Sequence, residues 1–137
     1  MGFIIPQVET CPVLRGSRGI IYIPLDVLGQ LKSALYEEKS NEWAVLLHGT
    51  RSPDGREVHV THLSVPTQVR ECAEVTVAQL RLSPDVVGVV HSHHTMGAYF
   101  SAKDVTNFNR KFPCSIVLSS KLATHEGQVL GLEYEAV

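Results

Sequence analysis

The sequence has 137 residues, of which 44% are apolar and 19% charged, and its formal net charge is −2. This length suits a single domain over residues 1–137, and the balanced charge favours neither nucleic acid nor an anionic membrane surface as a partner. The apolar run at the N-terminus stops at Pro6 and lacks a basic region, so we expect neither a signal peptide nor a membrane span. Three widely spaced cysteines favour free thiols in a cytoplasmic protein.

The first half of the chain predicts a strand, a helix and two further strands. The β-rich stretch GIIYI covers residues 19–23, and Pro24 opens a helix whose leucines recur at helical spacing up to about Ser40. Residues 42–49, EWAVLLHG, are almost continuously apolar, as in a central strand covered on both faces. Glu42 begins this run and should lie at the rim of the sheet. After the turn signal SPDG, residues 56–65 alternate as another strand.

The second half predicts a strand, a helix and two final strands. Residues 66–79 have mixed polarity and predict no clear element apart from β character at 75–77. Residues 86–90, VVGVV, predict a second buried strand, and residues 101–112 carry a helical apolar stripe that stops at Pro113. Residues 114–120 and 128–137 predict strands separated by a loop around THEGQ. This order predicts an α/β or α+β domain in which two main helices flank one mixed, curved sheet.

The segment HSHHTMGAYFSAKD, residues 91–104, contains a candidate metal site. Strand alternation places His91 and His93 on one face, about 6.5 to 7 Å apart, so both imidazoles can reach one ion. The candidate third ligand is Asp104, in the first turn of the next helix. Two histidines, one carboxylate and an open position for water describe a catalytic zinc site. Zinc lowers the pKa of bound water to about 7 and polarises carbonyls, which implies hydrolysis of an amide or ester.

Two further residues complete a hydrolytic hypothesis. A carboxylate near the metal must move the proton of the water to the leaving amine, and Glu42 at the rim of the neighbouring strand is the candidate. Ser101, just before the second helix, is placed to donate a hydrogen bond to the oxyanion.

The same residues also have structural interpretations. Ser101 and Asp104 fit a variant of the helix capping box, and capping alone would explain them. Two histidines at strand spacing are more often hydrogen-bonded side chains than metal ligands, and most glutamates are solvated charges. The zinc hypothesis therefore depends on the combination. Only structural roles are assigned to the scattered histidines His48, His59, His62 and His125.

The combination resembles the JAMM motif of the MPN-domain metallopeptidases, which include the proteasome-lid deubiquitinase and prokaryotic enzymes acting on ubiquitin-like proteins. The motif is a Glu that begins an apolar strand, followed by H-x-H, seven residues and S-x-x-D, and all five positions are present. The resemblance spans nearly the whole chain and implies the MPN (cytidine-deaminase-like) fold. It implies one zinc held by His91, His93 and Asp104. It also implies that Glu42 is the general acid/base and that Ser101 steadies the oxyanion.

The resemblance also implies a substrate. Related isopeptidases hold the C-terminal tail of the modifier as an added strand, and the corresponding segment here, Pro66–Val77, is interpreted as a mobile flap. A tail ending in Gly-Gly would fit the narrow approach to the metal. His94 stands where many members have proline. A solvent-exposed loop residue is the preferred interpretation, ahead of a hydrogen-bond partner of a metal ligand or a contact with the substrate. The candidate substrate contacts are Pro66, Val69, Val75, His94 and Met96.

The sequence supports three functional hypotheses. The first is a zinc isopeptidase that cleaves after the C-terminal Gly-Gly of ubiquitin or a ubiquitin-like modifier. The second is a metallohydrolase acting on a sulfur-carrier protein or on ordinary peptides. The third, a non-catalytic MPN scaffold, is least favoured because all five motif residues are present. Pairing with a second MPN subunit, or as a homodimer, fits this fold.

Overall fold

A computed structural model describes residues 3–6, 13–37, 42–66, 68–71, 74–77, 83–93, 97–125 and 128–137. Its strands are β1 (Phe3–Pro6), β2 (Val13–Gly16), β3 (Gly19–Tyr22), β4 (Ala44–Arg51), β5 (Glu57–Ser64), β6 (Gln68–Glu71), β7 (Glu74–Val77), β8 (Val86–His93), β9 (Ser115–His125) and β10 (Gln128–Ala136). Helix α1 is Leu25–Glu37, and helix α2 (Ala102–Asp104) continues as a π-helix over Val105–Asn109. Among the described residues, no helix combines the length and hydrophobicity needed to cross a bilayer.

Eight strands form one mixed sheet in the order β1-β10-β9-β8-β4-β5-β3-β2. The pairs β3–β5 and β8–β9 are parallel, and the others are antiparallel. The sheet curves until β2, at one edge, approaches β10, the strand next to the other edge. The Ser17 N–H after β2 donates to Ala136 O of β10 at 3.2 Å. The mixed sheet predicted from the sequence is therefore confirmed.

Helix α1 packs on one face of this sheet. Its buried residues Val27, Leu28, Leu31 and Leu35 repeat at the spacing of one helical stripe. They join a cluster that includes Val45 and Leu47 of β4. Ala44 and Leu46, which alternate with these residues, point to the opposite face. Strand β4 is thus covered on both sides, as its continuous apolar sequence predicted.

The segment from α2 through the π-helix covers the other face. Phe108 and Phe112 are almost fully buried against Ala44, Leu46 and Val89. Arg18 anchors the far end of the segment, since its guanidinium donates to the carbonyls of Asn109, Phe112 and Pro113 at 2.8 to 3.2 Å. The second helix predicted over 101–112 is therefore too long. Its α-helical part is three residues, and the apolar stripe is carried mainly by the π-helix.

Several boundaries differ from those predicted. Strand β4 begins at Ala44, so Glu42 lies two residues before it rather than being its first residue. Strand β8 continues to His93, and β9 runs on to His125 into the predicted THEGQ loop. Strands β1 and β2 were not predicted. The predicted end of the first helix near residue 40 lies outside the described residues.

The unclassified stretch 66–79 contains a hairpin. Strands β6 and β7 pair antiparallel, with Val69 opposite Thr76 and Arg70 opposite Val75, and form a two-stranded sheet separate from the main one. Strand β7 approaches β4. The segment interpreted as a flap therefore has regular backbone structure beside the strand that Glu42 precedes.

Candidate metal centre

The end of β8 carries two buried histidines. Strand β8 lies between β4 and β9 in the middle of the sheet, with His91 opposite Ala44 and Val117. His91 and His93 are 1% and 2% exposed, and their ring centroids are 5.3 Å apart. Because β8 continues through His93, the two side chains project from the same face, as alternation predicted.

Asp104 reaches the same point from α2. Its Oδ2 lies 3.2 Å from His91 Nε2 and 3.1 Å from His93 Nε2. The capping box fixes this carboxylate, since the Ser101 N–H donates to Asp104 Oδ2 at 3.0 Å and the Asp104 N–H donates to Ser101 Oγ at 3.1 Å. The structure thus gathers His91, His93 and Asp104 with their ligand atoms within 4.8 Å of one another.

The protonation of His93 fits a metal ligand. Its Nδ1–H donates to the Gly97 carbonyl at 3.0 Å, because a carbonyl can only accept. With that proton on Nδ1, the Nε2 atom faces the Asp104 carboxylate at 3.1 Å, and a proton or metal ion must lie between these two acceptors. Fixing one ring nitrogen so that the other is free for a metal is the usual arrangement around metal-binding histidines.

His91 supplies an independent indication. Its ring stacks on Phe108 at a centroid distance of 4.4 Å, and neither ring nitrogen has a hydrogen-bond partner among the residues that the structure describes. The 3.2 Å approach of Nε2 to Asp104 lacks hydrogen-bond alignment. An unsatisfied buried polar group costs about 1–3 kcal/mol, so a metal at Nε2 would relieve a real penalty. The donor set and this unsatisfied nitrogen fit a zinc ion.

The pKa values of the three groups follow from burial and mutual contact. Burial lowers the pKa of His91, although Asp104 acts in the opposite direction. Burial also opposes the charged form of His93, but hydrogen bonds to Asp104 and Gly97 and the charge of Glu42 outweigh it and raise this pKa. Burial alone would raise the pKa of Asp104, but the close contacts of its carboxylate with the two histidine rings hold it well below its usual range. Asp104 is therefore ionised at neutral pH, as a metal ligand must be.

Glu42 lies beside the histidines in the strand register. The Trp43 N–H donates to Ser92 Oγ at 2.9 Å, and the Ser92 N–H donates to Trp43 O at 3.0 Å. These bonds extend the antiparallel pairing beyond Ala44, which places Glu42 opposite His93. Glu42 is partly exposed, and its charge raises the pKa of His93. The structure thus brings Glu42, which is partly exposed, to the rim of the cluster.

Ser101 is confirmed as a helix cap and lies one turn from the carboxylate of the candidate ligand Asp104. The cap uses a lone pair of Oγ to accept from the Asp104 N–H, so the hydroxyl hydrogen is not consumed by that bond. The capping interpretation and the oxyanion interpretation are therefore compatible in one side chain. The oxyanion role stays a prediction.

The five candidate substrate contacts have different outcomes. Pro66 lies between β5 and the hairpin, and the backbones of Val69 and Val75 belong to β6 and β7. His94 and Met96 lie outside the described residues. Their contact with a substrate stays a prediction for all five.

A second cluster was not predicted from the sequence. Only structural roles were predicted for His48 and His62, yet they lie with Asp85, with candidate ligand atoms within 4.8 Å of one another. Of the three cysteines predicted to be free thiols, Cys114 is a buried free thiol. Cys11 and Cys72 lie outside the described residues.

The comparison with protein families agrees with the motif. The Prok-JAB family, described as prokaryotic homologs of the JAB domain, matches residues 7–130. The chain belongs to the Prok-JAB family. This membership supports an MPN-like domain, as the motif implied, and Prok-JAB domains are often hydrolytic and zinc-dependent.

The chain was also compared with solved structures and with curated proteins. A solution structure of a protein from Salinibacter ruber is 22% identical, and the match covers 80% of this chain and 76% of that chain with a TM-score of 0.45. No curated protein matches the chain.

Proposed function

We propose that this Prok-JAB domain is a zinc-dependent isopeptidase that hydrolyses the bond after the C-terminal Gly-Gly of ubiquitin or a ubiquitin-like modifier. The observation that carries the proposal is the convergence of His91, His93 and Asp104 within 4.8 Å, with Glu42 beside them in the strand register. A zinc ion in this site would supply Lewis-acid polarisation of the scissile carbonyl and a water of pKa about 7.

The residues of the chain supply the remaining steps. Glu42 accepts the proton of the attacking water and delivers it to the leaving lysine amine, which its partial exposure at the rim allows. Ser101 donates its hydroxyl hydrogen to the developing oxyanion while its oxygen continues to cap α2. His91 and His93 stay neutral as ligands, and the Gly97 carbonyl keeps the His93 ring oriented.

The hairpin supports recognition of an extended tail. Strands β6 and β7 form a sheet of their own, and β7 approaches β4. An extended peptide can add to such a strand through main-chain hydrogen bonds. Gly-Gly at the end of the tail would let the backbone approach the metal closely, because glycine has no Cβ. In this proposal Pro66, Val69 and Val75 line the path of the tail.

The test is cleavage of a modifier–lysine conjugate by zinc-loaded protein. Glu42→Gln should lower kcat by about 10²–10⁴-fold, the range for loss of a general acid/base, while zinc stays bound. Glu37→Gln, at the exposed end of α1, is the matched control and should keep wild-type turnover. Full activity of Glu42→Gln would remove this residue from the mechanism.

The same assay separates the alternative substrates. Equal cleavage of conjugates with and without the Gly-Gly tail would favour a metallohydrolase acting on ordinary peptides. Release of a capping amino acid from a sulfur-carrier protein, without cleavage of lysine conjugates, would favour that substrate. Equal zinc content of the wild type and His93→Ala at neutral pH, with no turnover, would instead indicate a non-catalytic MPN scaffold.

A further inference from the structure

His48, His62 and Asp85 form a second cluster at the opposite ends of β4 and β8 from His91 and His93. Their ligand atoms lie within 4.8 Å of one another. His48 lies four residues along β4 from Ala44, which is paired with His91, so these two histidines are about 13 Å apart at about 3.3 Å per residue and cannot share one ion. The second cluster is therefore independent of the candidate metal centre.

The sheet register creates this cluster. His48 of β4 is directly opposite His62 of β5, and their rings stack at a centroid distance of 4.5 Å with an interplanar angle of 11°. The Gly49 N–H donates to Asp85 O at 2.9 Å, which fixes the backbone of Asp85 beside β4. The Asp85 carboxylate then lies 3.0 Å from His48 Nδ1. Three backbone segments thus deliver two imidazoles and one carboxylate to one place.

A neighbouring hydroxyl fixes the tautomer of His62. The Thr61 hydroxyl donates to His48 O at 3.2 Å, so its hydrogen is already used. Its oxygen, 3.0 Å from His62 Nδ1, must therefore accept from the Nδ1–H. This leaves the unprotonated Nε2 of His62 as its ligand atom. A ring nitrogen fixed by an outer hydrogen bond is what metal-binding histidines commonly show.

Ser64 provides the equivalent contact for His48. Its Oγ is 2.6 Å from His48 Nε2. When the Nε2–H donates to Ser64, the lone pair of Nδ1 faces the Asp85 carboxylate, and a cation between these two acceptors stabilises the arrangement. The His48 side chain is 9% exposed and cannot rotate away easily, whereas His62 and Asp85 are exposed and can adjust.

We propose that His48, His62 and Asp85 form a second zinc site. Imidazole and carboxylate ligands suit zinc, whereas magnesium and calcium require mostly oxygen ligands. Tetrahedral zinc with bonds of about 2.0–2.1 Å holds its ligand atoms roughly 3.4 Å apart, so the present spacing needs only small side-chain shifts. Exposure of two ligands leaves room for water at the fourth position. The bound ion would join β4, β5 and the residue before β8.

A Ser–His–Asp hydrolase site is the competing interpretation, because Ser64, His48 and Asp85 are connected in that order by hydrogen bonds. In such sites the aspartate is buried. The Asp85 side chain is 49% exposed. The stacked His62 ring also has no role in a nucleophile site, whereas it supplies a ligand in a zinc site.

The test counts bound zinc by equilibrium dialysis and elemental analysis. The double variant His62→Gln/Asp85→Asn should bind one zinc fewer per chain than the wild type. His59→Gln, an exposed histidine on the same strand, is the matched control and should bind as many as the wild type. This difference in zinc content does not depend on whether the centre at His91 is occupied. The test therefore remains valid even if the proposed function is wrong.

Two further measurements decide the assignment. Zinc should shift the imidazole NMR resonances of His48 and His62 in the His93→Ala variant, where the other cluster is disabled. Ser64→Ala should weaken this binding by about 10–100-fold, the usual effect of removing a hydrogen bond to a ligand. The proposal is overturned if the double variant binds as much zinc as the wild type. Covalent labelling of Ser64 by a fluorophosphonate would also overturn it.

Discussion

Ser101 has a capping role and a proposed catalytic role, and substitutions can separate them. Ser101→Ala removes the 3.1 Å bond from the Asp104 N–H but keeps the 3.0 Å bond that its own backbone N–H donates. Loss of an N-cap side chain costs about 1 kcal/mol. With an unfolding entropy near 2.1 cal/mol/K per residue over a chain of 137 residues, Tm should fall by roughly 3–4 °C.

The catalytic effect should be much larger. Removing one oxyanion donor lowers kcat by about 10²–10³-fold. Ser101→Thr keeps both the cap and the hydroxyl, so it should retain stability and most activity. Ser101→Gly has no hydroxyl, but glycine at an N-cap costs only a few tenths of a kcal/mol. It should therefore remain stable and lose turnover as severely as Ser101→Ala.

The assays are calorimetry for Tm and steady-state cleavage of a modifier–lysine conjugate for kcat. Calorimetry tests the cap alone, so it remains informative whatever the substrate is. Wild-type turnover of Ser101→Gly would refute the oxyanion role. A Tm of Ser101→Ala equal to that of the wild type would refute the capping estimate.

Three other predictions concern the framework around the site. Arg18→Met should lower the free energy of unfolding, measured in urea, by about 1–2 kcal/mol because three backbone carbonyls lose a charged donor. The control Arg15→Met should change this free energy by no more than about 0.5 kcal/mol. Gly88→Ala should lower the free energy of unfolding by about 1–3 kcal/mol, since the added Cβ would lie 2.9 Å from Cys114 O. Gly29→Ala, on the open face of α1, should raise it by up to about 1 kcal/mol. Equal effects within either pair would contradict these contacts. Burial raises the pKa of the Cys114 thiol to about 12, so mass spectrometry should find this thiol unalkylated at pH 8 until the protein unfolds. Rapid alkylation of the folded protein would contradict this prediction, because it would show that the thiol is accessible.

The elements that could be predicted are those with a strong local pattern. Strand β4 is apolar on both faces because α1 covers one face and Phe108 the other. The short strand β1 has no comparable pattern. Its place depends on pairing with β10, where Phe3 lies opposite Tyr134 at the far end of the chain. Such a contact is set by the closure of the sheet rather than by neighbouring residues.

The second helix shows how a correct period can give an incorrect length. The apolar stripe that ends at Phe112 fits an α-helix, but residues between its members are weak helix formers such as Thr106 and Asn107. The Arg110 N–H bonds to Val105 O, which is the wider π pattern. The Thr106 hydroxyl also bonds to Ala102 O at 3.3 Å. Burial of the stripe is thus retained while the backbone departs from the α-helix.

The two histidine clusters differ in what specifies them. His91 and His93 alternate on one strand, and Asp104 lies in the next helix, so a linear motif contains the whole candidate ligand set. The second cluster requires the pairing of His48 with His62, and a β-bulge after His48 sets that register. A register shift of one residue would move His62 to the other face of the sheet. The second site therefore becomes visible only when three-dimensional pairing is known, and loss of zinc there should report on the bulge as well as on its ligands.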